Sequence, residues 1–332
     1  MAVRESGSRI GVVLLQLGGP DSLDSVEPFL YNLFCDPDII DLPGAFLFRK
    51  RLARFISTRR GPKVQDIYRK MGGRSPILKL TQRQADALER ALAPDLPVKT
   101  YIAMRYWHPL TEAAVDRIVQ DGIRRVILLP LYPHFSKSTT GSSVREWERV
   151  LAEKGVTSIT STLVSEYSEH PAYIRAIIRN IGYALRRIPE ADRLKAHLVF
   201  SAHGTPMSLV RAGDPYQSQV VRTYNAVVRA GTFGLPHHLC YQSKVGPQKW
   251  LEPSLVETID RLAADGVTHM VVVPIAFVSD HSETLVEINM EARHQARERG
   301  IRHFDMSPAL NACPPYIDAL ADLVRRSAGG TR

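Results

Sequence analysis

Asp116-Arg117-Ile118-Val119-Gln120-Asp121-Gly122-Ile123, running on into Val126-Ile127-Leu128-Leu129-Pro130, is matched 144 residues later. The partner is Asp260-Arg261-Leu262-Ala263-Ala264-Asp265-Gly266-Val267 followed by Met270-Val271-Val272-Val273-Pro274. In each copy a helical pattern stops at Asp-Gly, where glycine accepts the left-handed backbone that ends many helices. A short β-branched run follows and stops at proline, as a strand buried on both faces of a parallel sheet would. The spacing predicts one αβ unit used twice.

A second echo extends the repeat outward. Ile10-Gly11-Val12-Val13-Leu14-Leu15-Gln16-Leu17-Gly18-Gly19-Pro20 resembles His197-Leu198-Val199-Phe200-Ser201-Ala202-His203-Gly204-Thr205-Pro206: an apolar strand, then a loop closed by glycine and proline. Strands alternating with helices in two copies predict an α/β protein of two similar Rossmann-like domains with mostly parallel sheets. Ligands of such sheets bind beyond the carboxyl ends of the strands, so the site is expected in a cleft between the domains. The polar stretch Ser165–Pro171 suggests domains at 1–168 and 169–332, with the last helix packing back on the first. From Gly18 to Pro130 the first copy carries 42 residues more than the second does from Gly204 to Pro274, which places an insertion at about 31–75.

The composition fits this body plan. The 332 residues are 44% hydrophobic and 23% charged, which excludes a largely disordered, collagen-like or coiled-coil chain. No apolar run is long enough to span a bilayer, and the amino terminus lacks a secretory signal, so the expected location is cytoplasmic. Three dispersed cysteines, Cys35, Cys240 and Cys313, form neither a disulfide framework nor a C-x-x-C clip. The 43 Lys and Arg against 34 Asp and Glu favour an anionic partner without choosing among nucleic acid, acidic lipid and carboxylate substrate. No G-x-G-x-x-G or G-x-x-x-x-G-K-[ST] follows a strand, which weakens a nucleotide reading.

Within the insertion, Ala45, Phe48, Leu52, Phe55 and Ile56 keep the period of an amphipathic helix, with basic residues among them. The pattern suits a helix lying on an anionic membrane or one packing on its own domain. His203 stands at the carboxyl end of a predicted strand. Farther on, Glu283, Glu287 and Glu291 recur at i, i+4 and i+8, with Asp280 or Ser282 in position to cap a helix. None of the three acids has Lys or Arg four residues later, so a column of acids for protons or a divalent cation competes with a merely solvated face. There is no zinc signature. Aromatic and cationic side chains around Arg105-Tyr106-Trp107 and Lys244–Trp250 suit a flat substrate with acidic arms.

Taken in order, Leu17-Gly18-Gly19-Pro20, Gly72-Gly73-Arg74-Ser75-Pro76, Arg105-Tyr106 to Pro109-Leu110, Ser138 to Ser143, Ser201-Ala202-His203-Gly204, Gln242 to Pro247 and Pro274 through Leu285 resemble the ferrochelatases, which insert Fe(II) into a porphyrin. The resemblance runs over almost the whole chain. It implies a porphyrin between two Rossmann-like domains, with His203 facing the pyrrole nitrogens and Glu283 standing opposite as the catalytic, iron-meeting pair. Asp280, His281, Glu287 and Glu291 would form the relay, on a helix widened to π geometry. Leu17, Tyr106 and Trp250 would grip the ring, Arg69, Lys70, Arg105 and Ser138 would anchor propionates, and Tyr132 and Lys244 would also line the porphyrin site.

The insertion would be a lip whose Phe46, Leu47, Phe48, Arg49, Lys50 and Arg51 meet the membrane, giving peripheral contact with its inner face. The expected substrates are protoporphyrin and Fe(II); coproporphyrin, or a carrier without turnover, are the rival readings. Some relatives hold a [2Fe–2S] cluster through one cysteine in the loop matching Lys137 and three near the carboxyl end. Here that loop has lysine and Arg332 ends the sequence without them, so neither a cluster nor another tightly bound cofactor is expected. No nucleic-acid partner is expected, and the sequence leaves monomer and homodimer open.

Overall fold

The computed structural model describes residues 9–39, 48–244 and 248–329. Among them, β1 (Ile10–Gln16), β2 (Val98–Met104), β3 (Arg125–Pro130) and β4 (Thr160–Leu163) make one parallel sheet in the order β2-β1-β3-β4. β5 (Ala196–His203), β6 (His237–Gln242), β7 (His269–Pro274) and β8 (His303–Met306) make a second in the order β6-β5-β7-β8. The topologies are the same, and so is the register: Leu15 lies beside Pro130 and Ser201 beside Pro274. Helices α4 (Thr111–Gln120) and α9 (Leu255–Ala264) fall 144 residues apart, as do β3 and β7.

The Asp-Gly stops act as the sequence predicts. Gly122 and Gly266 have φ of 68° and 80°. The next amides, Ile123 N and Val267 N, turn back to the carbonyls of Ile118 and Leu262 at 3.1 and 3.0 Å, closing a Schellman motif at both sites.

Alternation along the central strands divides the core. Val12 and Leu14 of β1 and Leu198 and Phe200 of β5 face one continuous apolar core. Val13 and Leu15 turn the other way, onto α4 and α5 (Ser142–Glu153), while Val199 faces α9 and α10 (Arg293–Glu298). The shared core is roofed by α3 (Ile77–Leu92), α6 (Pro171–Leu185), α8 (Tyr216–Gly231) and α11 (Pro314–Gly329). Each half lends its closing helix to the other. α6 follows β4 but packs on α8 and β7, its Tyr173 hydroxyl donating to Ile275 O at 2.8 Å. α11 follows β8 but packs on α3 and β3, where Arg325 pairs with Asp95 at 2.6 Å and Arg125 donates to Ala328 O at 2.6 Å.

The extra length of the first copy is α1 (Val26–Cys35) and α2 (Arg49–Lys70), where the second half has only the short α7 (Met207–Arg211). The face of α2 that packs inward is made largely of small and polar residues. Its buried residues are Ala53, Ser57, Gly61 and Tyr68, whereas Phe48 and Phe55 are 45% and 65% exposed. Small side chains let α2 lie close to α1, with the Thr58 hydroxyl donating to Glu27 at 2.6 Å, and Ile56 of the apolar pattern also packs on that cluster. Ala45, Phe46 and Leu47 lie outside the described residues.

Candidate active site

β5 ends at His203 because Gly204 follows it. A Cβ at Gly204 would lie 2.8 Å from Gln242 O and 3.3 Å from the Trp250 indole, so only glycine lets the chain turn there beside β6. His203 Nδ1 makes a short hydrogen bond to Gly204 O. A carbonyl only accepts, so Nδ1 carries a proton, and in the neutral ring Nε2 is the nitrogen with the lone pair. The Tyr216 hydroxyl donates to His203 O at 3.0 Å and fixes the backbone from the other side.

That lone pair points toward Glu283. His203 Nε2 and Glu283 Oε1 are 3.7 Å apart, and the His281 Nε2 lies 3.9 Å from the same oxygen. His281 Nδ1 faces Ser279 O at 2.9 Å, which turns its Nε2 edge toward the same carboxylate. The carboxylate thus sits between two imidazoles. The expectation that Glu283 stands opposite His203 across the substrate is corrected here. A flat ring needs about 3.5 Å of contact distance on each face, about twice the gap found, so in this arrangement the two groups do not stand on opposite faces of such a ring.

Glu283 begins a π-helical segment, Glu283–Ala292, which runs on into α10. Its counterpart after β3 is a shorter π segment, Lys137–Gly141, which the sequence reading did not find. Neither Asp280 nor Ser282 caps the longer one through a backbone amide: Asp280 instead accepts from the Asn311 amide at 2.8 Å and the Thr284 hydroxyl at 3.1 Å. Those bonds occupy the Asp280 carboxylate and leave Glu287 as the next acid inward.

Glu287 Oε2 accepts from the Ser243 hydroxyl at 2.6 Å and from Gln242 Nε2 at 3.3 Å. Ser243 also reaches Glu283 Oε2 at 3.3 Å. Burial, and next the charge of Glu283, push the Glu287 carboxyl up to about 7, so near neutrality it both holds and releases a proton. Glu291 is exposed and pairs with Lys70 of α2 at 3.1 Å. Its charge is thereby relieved from another element, not from its own helix.

Gln242 and Ser243 were not singled out in the sequence, although both stand in a quoted motif. The usable signal is that Gln242 ends β6 level with His203. Ser243 takes φ 67°, a left-handed conformation costing of order 1–3 kcal/mol that sets its hydroxyl between the two carboxylates. Tyr68 of α2 was likewise missed. It is buried near Ser282 and Glu283, and burial pushes its hydroxyl up to about 12.

Among the described residues no three His, Cys, Asp or Glu side chains converge to hold a resident metal. The family model for ferrochelatase matches residues 9–328. The chain belongs to the ferrochelatase family. Its class of reaction is porphyrin metal chelation in haem biosynthesis. It is 46% identical over 322 residues to the ferrochelatase of Synechocystis sp., covering 96% of this chain and 82% of that one. To the ferrochelatase of Geotalea daltonii it is 45% identical over 322 residues, covering 97% and 98%.

Among solved structures it is similar in fold to SirB from Bacillus subtilis with Fe3+, with TM-score 0.59 and 15% identity over 97% of this chain and 96% of that one. It is also similar to the sirohydrochlorin chelatase SirB from B. subtilis subspecies spizizenii in complex with cobalt, with TM-score 0.54 and 12% identity over 96% and 95%.

Not every residue assigned from the ferrochelatase resemblance is placed to touch a porphyrin. Tyr106 is 1% exposed and its hydroxyl donates to Asp36 at 2.7 Å, so it presents no ring face to a ligand. Arg105 is occupied by the same carboxylate at 2.9 Å and by the Ser142 hydroxyl at 2.8 Å. Arg69 pairs with Asp66 and Lys70 with Glu291, so both cations already have partners, though exposed ones. Tyr132 is half-buried, and burial raises its hydroxyl well above the usual range. Ser138 bonds to Ser136 at 3.0 Å, and Leu17 packs at the edge of the α1–α2 cluster. Lys244 is exposed, and Trp250 is half-buried against Gly204 with its indole N–H unpartnered. A cavity of about 1190 Å³ along edge strand β2, lined by Arg74, Lys79 and Tyr101, reaches Leu285 but includes neither His203 nor Glu283.

Proposed function

We propose that the chain inserts Fe(II) into protoporphyrin IX, with His203 Nε2 accepting a pyrrole proton. Replacing two N–H hydrogens by one Fe(II) releases two protons. The neutral imidazole accepts one, and Glu283, Ser243 and Glu287 offer a route for the other toward Glu291. The observation that carries this reading is the Gly204 carbonyl on His203 Nδ1, which holds a proton there and turns Nε2 toward Glu283. A site shaped for a bent macrocycle would favour the species whose nitrogen lone pairs tilt toward the incoming metal. Iron is substrate in this scheme. No [2Fe–2S] cluster is part of it: Cys35, Cys240 and Cys313 are free and lie on separate elements.

The expected propionate anchors are revised accordingly. Arg105 is held by the buried Asp36, whereas the ion pairs of Arg69 and Lys70 are exposed, so Arg69, Lys70, Ser138, Lys244 and Tyr132 are the polar groups for the substrate's acid arms, with Leu17 and Trp250 as apolar contacts.

A peripheral membrane role is supported by α2. Leaving Phe55 in water forgoes the roughly 2 kcal/mol that burying it would bring, and Phe48 lies about two helical turns away beside Arg49, Lys50 and Arg51. Apolar residues flanked by cations match an anionic bilayer surface, which fits a cytoplasmic protein touching the inner face of the membrane. No described helix is long and apolar enough to cross a membrane.

The decisive experiment is Fe(II)-dependent loss of porphyrin fluorescence, run with protoporphyrin and with coproporphyrin. Turnover that is faster on coproporphyrin would reassign the substrate. Turnover unaltered in both His203→Ala and Glu283→Gln would remove the mechanism.

A further inference from the structure

Glu283 reaches His203 at the end of an irregular turn, residues 278–282, that joins β7 to the π segment. A turn with no ladder of its own must satisfy its polar groups from outside. Asn311, in the loop between β8 and α11, does much of this. Its Nδ2 donates to Asp280 Oδ2 at 2.8 Å, its Oδ1 accepts from Asp280 N at 3.0 Å, and its own backbone N–H donates to Val278 O at 2.7 Å. The other oxygen of Asp280 accepts from the buried Thr284 hydroxyl at 3.1 Å, and that hydroxyl accepts from His281 N at 3.1 Å. The bonds that start at Asn311 therefore bracket Glu283 in the chain, from His281 on one side and Thr284 on the other.

The first half of the molecule grips the same turn. Gln84 of α3, fully buried, donates to Asn311 O at 2.9 Å and to Ser279 Oγ at 3.0 Å. Asn311 itself has φ 46°, a left-handed backbone that asparagine, aspartate and glycine accept more readily than other residues.

The twin turn of the first half is built differently. Asp280 lies six residues after Pro274 and Asn311 eight after His303; the residues so placed after Pro130 and Thr160 are Ser136 and Ser168. Ser168 is buried with its hydroxyl unpartnered among the described residues, and Ser136 bonds across to Asp214 of the other half. The residue matching Glu283 there is Thr139. The reciprocal clamp of amide on carboxylate accompanies the turn that carries an acid to His203, and its twin without the acid is held by other means.

We propose that Asn311 is a positioning residue for Fe(II) insertion: by clamping Asp280 it holds the Glu283 carboxylate at its distance from His203. The Asp280 carboxylate is then an anchor and not a step in the proton route. This rests on the reading of His203 and Glu283 as the working pair.

The test exchanges the two side chains in the full-length chain. Asn311→Asp keeps a residue that accepts the left-handed turn but sets two carboxylates face to face, without the donor that the clamp needs. Adding Asp280→Asn returns a donor: the amide at 280 donates to the carboxylate at 311, its carbonyl oxygen still accepts from Thr284, and the backbone N–H of 280 still meets a carboxylate oxygen. Asn311→Asp should lower kcat about 10²-fold, the cost of misplacing a reacting group by about 1 Å, while porphyrin affinity by fluorescence titration stays unchanged. The exchanged pair should recover most of that rate. Turnover is counted per equivalent of porphyrin bound, so unfolded protein does not register. Asn311→Gly, which keeps the turn and its backbone bonds and drops only the side chain, should show the same loss of kcat at constant affinity and is read even where Asn311→Asp fails to fold. Native kcat in Asn311→Gly, or an exchanged pair no faster than Asn311→Asp, overturns the proposal. Unaltered turnover in Glu283→Gln removes the working pair and the proposal with it, an outcome distinct from either of those.

Discussion

Leu17 and His203 occupy the same place in the two halves of the molecule. Leu15 lies level with Pro130 and Ser201 with Pro274, and two residues farther along each strand come Leu17 and His203. One strand end offers an apolar contact and its twin a base. Giving position 203 the residue its counterpart carries, His203→Leu, should keep porphyrin binding and lose proton acceptance. Fe(II) insertion is expected to fall by about 10²–10⁴-fold, with porphyrin affinity changed far less, as read by fluorescence titration and single-turnover assay.

Glu287 gives the folded protein a pH signature. Its carboxyl shifts from 4.5 to about 7, so between those values the folded protein keeps a proton that the unfolded chain has released. Stability from this group is full below the ordinary carboxylate range and is lost as pH rises through about 7. Glu287→Gln should flatten that slope by on the order of 3 kcal/mol and slow turnover by breaking the Ser243-linked relay. Urea unfolding at pH 5, 6 and 8 reads the first effect, and an unchanged slope would mean Glu287 titrates normally.

Asp36 is the buried pin between the α1–α2 insertion and the rest of its half. Burial alone would raise its carboxyl, yet the Arg105 guanidinium and the Ser142 and Tyr106 hydroxyls hold it below the usual carboxylate range. Asp36→Ala leaves the Arg105 guanidinium, itself only 17% exposed, without its buried carboxylate partner and should cost about 3–5 kcal/mol. Asp66→Ala, which removes the exposed partner of Arg69, should stay within about 0.5 kcal/mol. The pair of denaturation curves distinguishes a buried ion pair from a surface one.

Gly204→Ala should spare the fold and injure the site. The new methyl meets Gln242 O and the Trp250 ring, so relief requires moving either the His203 turn or the Trp250 wall. Misplacement of this size costs about 10²-fold in rate when it reaches a catalytic group. Crystallography and kcat together check it, and native turnover in the variant would show that the turn has slack.

Phe48→Ser with Phe55→Ser should lower partition onto anionic liposomes without moving the unfolding midpoint, because neither side chain contributes to the core. Sedimentation with vesicles measures it, and equal partition would make the exposed edge of α2 a surface without a lipid partner.

The repeat was legible because it is written in short-range chemistry: Asp-Gly stops, proline-ended strands and a fixed offset. Family motifs likewise led to His203 and Glu283. What stayed hidden depends on tertiary neighbours. Nothing local announces that Ala53, Ser57 and Gly61 are the buried face of α2, or that the buried Tyr106 hydroxyl is held by a carboxylate 70 residues earlier. The separation of His203 and Glu283, 80 residues apart in the chain, is set by where β5 and the π segment meet, and spacing cannot supply that distance.

The crossing of α6 and α11 makes the two sheets inseparable in a practical sense. A fragment cut at the midpoint would leave its own sheet without the helix that shelters it and would carry off the shelter of the other. Clipping the last sixteen described residues should therefore first loosen α6, α3 and β3, all earlier in the sequence, and leave β8 beside the cut comparatively firm.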